Sequence, residues 1–280
     1  MPVQVVTDST ADLPRELVES QGIAVVPLTV RFGTEEFRDG VDITPEAFLH
    51  KLESSPLLPT TAQPSPKTFE GVYQEILTRG QDAVSIHISA KLSGTMNSAR
   101  LARQELGDPP GIAIVDSQWT SMALGLIVLA AGREAARGAG WDDVVTATRS
   151  AMRRVRLLLF VDTLEYLQRG GRIGKAQAFL GGLLSVKPLI TLKDGEVYPE
   201  ERVRTRSRAL ERLRSWADGL GDIEEFCALH IDSPGDAEAL RQHVQGRHRT
   251  AQAHITPVGP VIASHVGPGA VGLAALVRDR

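Results

Sequence analysis

The sequence predicts an α/β fold: an N-terminal doubly wound, mostly parallel sheet domain over residues 1–155, then an α+β domain over residues 156–280. Three observations carry this. Short β-branched runs ("VQVV", "AVSIHIS", "IAIVDS") each lead through small and hydroxyl residues into a helical pattern, the alternation that builds parallel sheets. After residue 155, hairpin signals appear among the helices. The 280 residues, 42% hydrophobic and 23% charged, suffice for one large domain or two ordinary ones and are far from a disordered composition.

Taken in order, "VQVV" is a strand and "DSTADLPRELVESQ" a turn with a helix. "IAVVPLTVRF" reads as one second strand, and "GTEEFRDGVDI" as a small hairpin excursion. Thr44 and Pro45 form a helix start, with a hydroxyl cap and a proline at the first helical position. Ser65 and Pro66 repeat that device before "KTFEGVYQEILTRG". "AVSIHIS" and "IAIVDS" are further strands, each feeding a helix. Beyond 155, "RLLLFVD" leads to "TLEYLQRGGRIG", a helix broken by paired glycines. "KPLITLKDGEVYPEERV" is a hairpin around Asp194-Gly195, a favoured tight-turn pair. A long helix, the strand "FCALHID", a helix from Pro234 and two short strands near 251–264 complete the reading.

Bulk properties narrow the function. Lys and Arg total 31 against 34 Asp and Glu, a net charge of -3, and aromatics are 5%. Neither favours nucleic acid as a partner. Cys227 is the single cysteine and sits in a buried-strand pattern, so no internal disulfide forms. "MPVQVVTDST" lacks the basic flank and apolar core of a signal peptide. The longest apolar run, "MALGLIVLAAG", has 11 residues and is too short to span a bilayer. A soluble cytoplasmic protein is expected.

In open parallel sheets, ligands bind beyond the carboxyl ends of the strands. Three loops there share a hydroxyl-rich character: Thr7 to Thr10, Ser89 with Ser93, Gly94 and Thr95, and Asp116 to Ser121. Each caps its helix, or together they cradle an anion on hydroxyls and on the amides around Gly94. "LSGT" has no Walker lysine, no "GxGxxG" is present and no metal-ligand spacing occurs, so no cofactor is expected. The proline-punctuated "LPTTAQPSP" holds Thr60 and Thr61, and "SHVGPGA" sets His265 before glycines. "ERVRTRSRALERLR" is either a solvated helix face or a docking patch for something acidic. The glycines of "QRGGRIGKA" shape a tight turn.

With these stretches assembled, the chain resembles the DegV family of bacterial fatty-acid-binding proteins. The resemblance runs over nearly the full length, through "VTDSTADLP", "TTAQPSP", "LSGTMNSA", "VDSQWTSMALG", "DTLEYLQRGGRIG", "KPLITLKDGEV", "RVRTRSRAL" and "GPVIASHVGPGA" in family order. It implies a lipid-binding protein without catalysis of its own. One long-chain fatty acid would lie between the domains and be presented to a separate ATP-dependent fatty acid kinase that makes the acyl phosphate. It further implies that Thr61 and Ser93 hold the carboxylate, that His265 joins their hydrogen bonds, and that Arg202 serves kinase engagement. The implied partners are the fatty acid, the kinase subunit and a transient contact at a membrane surface. Ala62 departs from the serine common at that place. The physics is compatible: each buried methylene contributes about 0.8 kcal/mol, so a 16-carbon tail contributes roughly 10 kcal/mol before costs.

Two other readings stay open. Ser93 as nucleophile, His265 as base and Asp116 as orienter would make an ester or thioester hydrolase, although no "GxSxG" elbow surrounds Ser93. A sugar- or nucleotide-phosphate module would need a cation that the loops do not supply.

Overall fold

The computed structural model describes residues 1–180 and 186–278. In its first half come β1 (Val3–Asp8), a 3-10 turn (Ser9–Ala11), α1 (Arg15–Gln21), β2 (Ala24–Val26), β3 (Thr29–Phe32) and β4 (Glu35–Arg38). They are followed by α2 (Pro45–Ser54), β5 (Thr60–Ala62), α3 (Pro66–Thr78), β6 (Asp82–His87) and α4 (Thr95–Glu105). Then come β7 (Ile112–Asp116), α5 (Ser121–Ala136) and α6 (Trp141–Arg154). The second half begins with β8 (Val155–Phe160), α7 (Glu165–Arg169), a 3-10 segment (Gly174–Phe179), β9 (Lys187–Lys193) and β10 (Glu196–Val203). It ends with α8 (Arg206–Asp218), β11 (Ile223–His230), α9 (Pro234–Arg247), β12 (Gln252–Pro257), α10 (Pro260–Val266) and β13 (Val271–Val277).

The expected α/β architecture is present. A four-stranded sheet runs β2-β1-β6-β7, every pairing parallel. A six-stranded sheet runs β10-β9-β8-β13-β11-β12 and is antiparallel except at β11–β12. A small antiparallel sheet, β4-β3-β5, sits apart from both. The local signals behave as their chemistry dictates. Thr44 accepts from the Ala47 amide and Ser65 from the Thr68 amide, each with proline behind it. Asp194 (φ 51°) and Gly195 (φ 79°) make the left-handed turn between β9 and β10.

Three expectations fail. "IAVVPLTVRF" is two strands in two sheets, because Pro27 has no N–H to continue a ladder and the chain turns there. "LPTTAQPSP" is not wholly loop: Thr60–Ala62 pair with β3. The second short strand near 251–264 is instead helix α10, started by Pro260 behind the cap residue Gly259. The real last strand, β13, lies between β8 and β11. It is buried along nearly its whole length, so it reads as a continuous apolar run without alternation.

Helix α5 joins the halves. It is buried continuously from Ser121 to Gly132 and packs on β1 and β6 on one side and on β8, β11 and β13 on the other. The largest core therefore runs from Val5 through α5 to Leu276. Cys227 lies in that core, where burial pushes its thiol pKa up, as a structural residue should behave. Among the described residues no helix is long and apolar enough to cross a membrane.

Candidate functional site

A cavity of ≈ 290 Å³ lies between the sheets. Leu28, Ile88 and Leu92 from the first half face Leu157, Ile190 and Leu229 from the second. Helix α10 contributes Val261, Ile262 and Val266 to the same wall. Polar groups gather where Thr61, Gln63, Ser93, Arg172 and His265 line it. Thr120, Ser121 and His230 line it as well, so the cavity is an apolar channel whose polar residues include this cluster, a form able to bury a tail and orient a head.

Thr61 and His265, 204 residues apart, meet directly: Thr61 Oγ1 lies 2.8 Å from His265 Nε2. Strand β5 places the threonine by pairing Thr61 with Val30 of β3, and the last turn of α10 places the histidine. Burial first, then the Arg172 guanidinium, lowers the His265 pKa to about 4, so the ring is neutral at ordinary pH. Its Nδ1 has no partner among the described residues and faces Gly170, where a Cβ would overlap the ring.

Ser93 sits at the mouth of α4. Its Oγ is 2.9 Å from Thr95 Oγ1 and accepts from the Thr95 amide at 3.3 Å. Its hydrogen bonds stay within its own loop, and it also lines the cavity. Gly94 lies behind it, off the wall, where a Cβ would overlap the Gln63 side chain. That glycine admits Gln63 to the site by its lack of a side chain. The β1, β6 and β7 loops do share one edge, as neighbouring parallel strands require. Most of their hydroxyls are used internally, however. Ser89 donates to Gly195 O at 2.7 Å and thereby ties the β9–β10 turn to the first half, beside a Lys91–Glu196 pair at 2.9 Å.

Two residues were missed in the sequence. Arg172, set aside with the turn glycines of "QRGGRIGKA", supplies the cation that the βα loops lack. Its Nε donates to Leu92 O at 3.0 Å and its Nη1 to Gly170 O at 2.6 Å. It also lines an outer cavity of ≈ 390 Å³, together with Thr61, Tyr166, Arg169 and His265. The polar end of the channel therefore backs onto an opening at the surface. Gln63 is the second, and no local signal marked it.

Arg202 is not at this site. It lies exposed on β10 with its guanidinium 4.8 Å from the centre of the Phe179 ring. Among the described residues no carboxylate pairs with it, whereas Arg212 pairs with Glu201 at 2.6 Å. Arg206 holds Asp236, Ser233 and Gly269 O, so part of the arginine run is structural. The hydrolase relay is not assembled. His265 bonds Thr61, Ser93 bonds Thr95, and Asp116 Oδ1 accepts from the Ala90 and Gln118 amides. No group of ligands fit for a metal ion occurs among the described residues.

Comparison with known proteins places this geometry. The family model described as "Uncharacterised protein, DegV family" matches residues 2–278. A DegV domain-containing protein of Streptomyces coelicolor is 40% identical over 99% of both chains. A solved DegV family protein from Thermus thermophilus, described by its fatty acid binding, is 40% identical with a TM-score of 0.90, covering 99% of this chain and 100% of the other. DegV of Bacillus subtilis, described as a fatty acid binding protein, is 31% identical with a TM-score of 0.91 over the same shares. A stearic acid-binding protein from Eubacterium ventriosum is 28% identical with a TM-score of 0.87, covering 98% of each chain.

Proposed function

The chain belongs to the DegV family, and from that premise we propose that it binds one long-chain fatty acid and presents it to a separate ATP-dependent fatty acid kinase for acyl-phosphate formation. One observation carries the reading: an apolar channel built from both halves ends at Thr61, Ser93, Arg172 and His265. The tail supplies most of the affinity by burial, and the polar end orients the carboxylate. With the His265 ring neutral and donating from Nε2 to Thr61 Oγ1, the Thr61 hydroxyl proton remains for a carboxylate oxygen. Ser93 offers a second hydroxyl. Arg172 supplies the positive charge, and its guanidinium suits a carboxylate. Gly94 acts indirectly, by admitting Gln63.

The outer cavity beside Arg172 and His265 supports presentation, because a partner reaches the head group there while the tail stays buried. Arg202, exposed and without a carboxylate partner, is our candidate for kinase docking, as the family resemblance implies. On this reading the protein has no catalysis of its own, needs no cofactor, works in the cytoplasm and meets a membrane surface transiently. The change of sheets at β8 supports units 1–155 and 156–280. Native mass spectrometry of protein purified from a bacterial host tests the reading. A bound mass of one long-chain fatty acid is expected. An empty protein that hydrolyses acyl esters, with turnover lost in Ser93→Ala, would replace it with the hydrolase.

A further inference from the structure

The "VTDSTADLP" stretch takes no part in the head-group cluster, yet it reaches the helix that carries His265. The first N–H groups of a helix have no partner within it. In α10, the Gly259 amide donates to Asp12 Oδ1 at 3.0 Å, and Asp39, whose Oδ2 is buried without a hydrogen-bond partner among the described residues, lies against the same glycine. Asp12 also accepts the Ser121 hydroxyl on Oδ2. Both carboxylates flank one glycine: a Cβ at Gly259 would lie 2.7 Å from Asp12 Oδ1 and 3.4 Å from Asp39 Oδ1. The far end of this seven-residue helix carries His265, and Val261, Ile262 and Val266 between them line the channel.

We propose that Asp12 is a positioning residue for the head-group site, clamping the first turn of α10 and setting His265 through it, and that the buried Asp39 carboxylate beside the same glycine loosens this hold when it is ionised. The effect on ligand release rests on the fatty-acid reading; the clamp itself does not.

The electrostatics follow from the surroundings. Asp12 is 8% exposed and Asp39 4%. The titratable groups around them are Asp8 from β1, Arg15 and Glu19 from α1, the Arg38–Asp42 pair beside Asp39, and Cys227 from β11. Arg15 pairs with Glu19 and Arg38 with Asp42, so neither cation neutralises the clamp, and Asp8 is hydrogen-bonded to His87. Burial is the main cause that holds the Asp12 pKa well above the carboxylate range and pushes that of Asp39 to about 7. Hydroxyl and amide donors work the other way and lose. A carboxyl whose folded pKa is raised contributes stability that is full below its unfolded pKa and lost as pH rises through the folded one. For Asp39 that window runs from about 4 to about 7. A cavity of ≈ 440 Å³ beside Asp12, Asp39 and Gly259 gives the loosened turn room to move.

The test has two arms. Amide hydrogen exchange of the ligand-free protein, corrected for intrinsic rates, should show residues 258–268 several-fold less protected at pH 8.5 than at pH 6. Asp39→Asn removes the charge at nearly constant size and should remove that difference, as should Asp39→Ser, which serves if the first variant does not fold. Equal pH dependence in wild type and a folded variant would overturn the clamp, whatever the ligand. In the second arm, stearate dissociation into phosphatidylcholine vesicles should speed several-fold over the same range in wild type and stay flat in Asp39→Asn. In a His265→Ala background Asp39→Asn should change the dissociation rate by less than twofold. Full additivity of the two substitutions would show that Asp39 does not act through His265 and would overturn the positioning role. If wild type retains no stearate at either pH, the fatty-acid reading fails, and the exchange arm still decides the clamp.

Discussion

Two histidines in this protein each bond a hydroxyl, and only one belongs to a candidate site. His87 Nδ1 lies 2.9 Å from Asp8 Oδ2, and its Nε2 lies 2.7 Å from Ser85 Oγ, which also accepts from Tyr73 at 2.8 Å. On paper this is a Ser–His–Asp relay. Yet His87, Asp8, Ser85 and Tyr73 are all 0% exposed, and Phe69 packs edge-on against the ring. Every valence of His87 is met from within, and no substrate reaches Ser85. His265 has one nitrogen bonded and one without a partner, beside a cation and on a cavity wall. Geometry alone does not mark a site. Unmet valences beside an open space do.

The sharpest way to separate the two is to remove His87. His87→Ala opens a fully buried cavity and removes a hydrogen-bond partner from both Asp8 and Ser85, so stability should fall by about 3–5 kcal/mol in urea denaturation. The same truncation of hydroxyls at the open cluster should act on the ligand and not on the fold. Thr61→Ala with Ser93→Ala should weaken stearate binding by about 1–3 kcal/mol in calorimetric titration, with the urea midpoint nearly unchanged. Unchanged affinity in a folded double variant would refute the carboxylate assignment. Arg172→Ala should cost about 1 kcal/mol of affinity, because its exposed guanidinium is screened by water. That loss should shrink in 0.5 M salt.

The smallest effect is at His265 itself. Its lowered pKa, about 4, means that the folded protein favours the neutral ring. Its contribution to stability is full above about pH 6.5 and is lost as pH falls toward 4. His265→Gln should flatten that acid limb while keeping measurable stearate binding, since an amide also hydrogen-bonds Thr61. A variant that kept the wild-type acid limb would remove His265 as its source. Asp39 titrates with the opposite sign, so the two limbs are separable in one pH series.

Much of the frame was legible because its signals are local. Thr44-Pro45, Ser65-Pro66 and Asp194-Gly195 each act through neighbours a few residues away, and each does what its chemistry requires. The three hydroxyl loops were legible as neighbours once the strands were parallel. The misses are long-range. Arg172 reaches Leu92 across 80 positions, and nothing in "QRGGRIGKA" reports that distance. Strand β13 hides because both its faces are buried, and α10 hides because its Val-Ile start looks like a strand. His265 and Thr61 were named through the family resemblance; their direct contact became visible only in three dimensions.

Helix α5, buried from Ser121 to Gly132, bears on how the molecule melts and on how a lipid would enter under the proposed function. A helix apolar all round has no face to turn to water, so neither sheet can keep it and remain folded alone. The two halves, different in topology, should therefore unfold in a single heat-absorption peak with matching calorimetric and van't Hoff enthalpies. For the same reason they do not part like the leaves of a hinge. On the proposed fatty-acid reading, a lipid would have to pass through wall segments that shift while α5 stays in place, and α10, which lines the cavity, is such a segment.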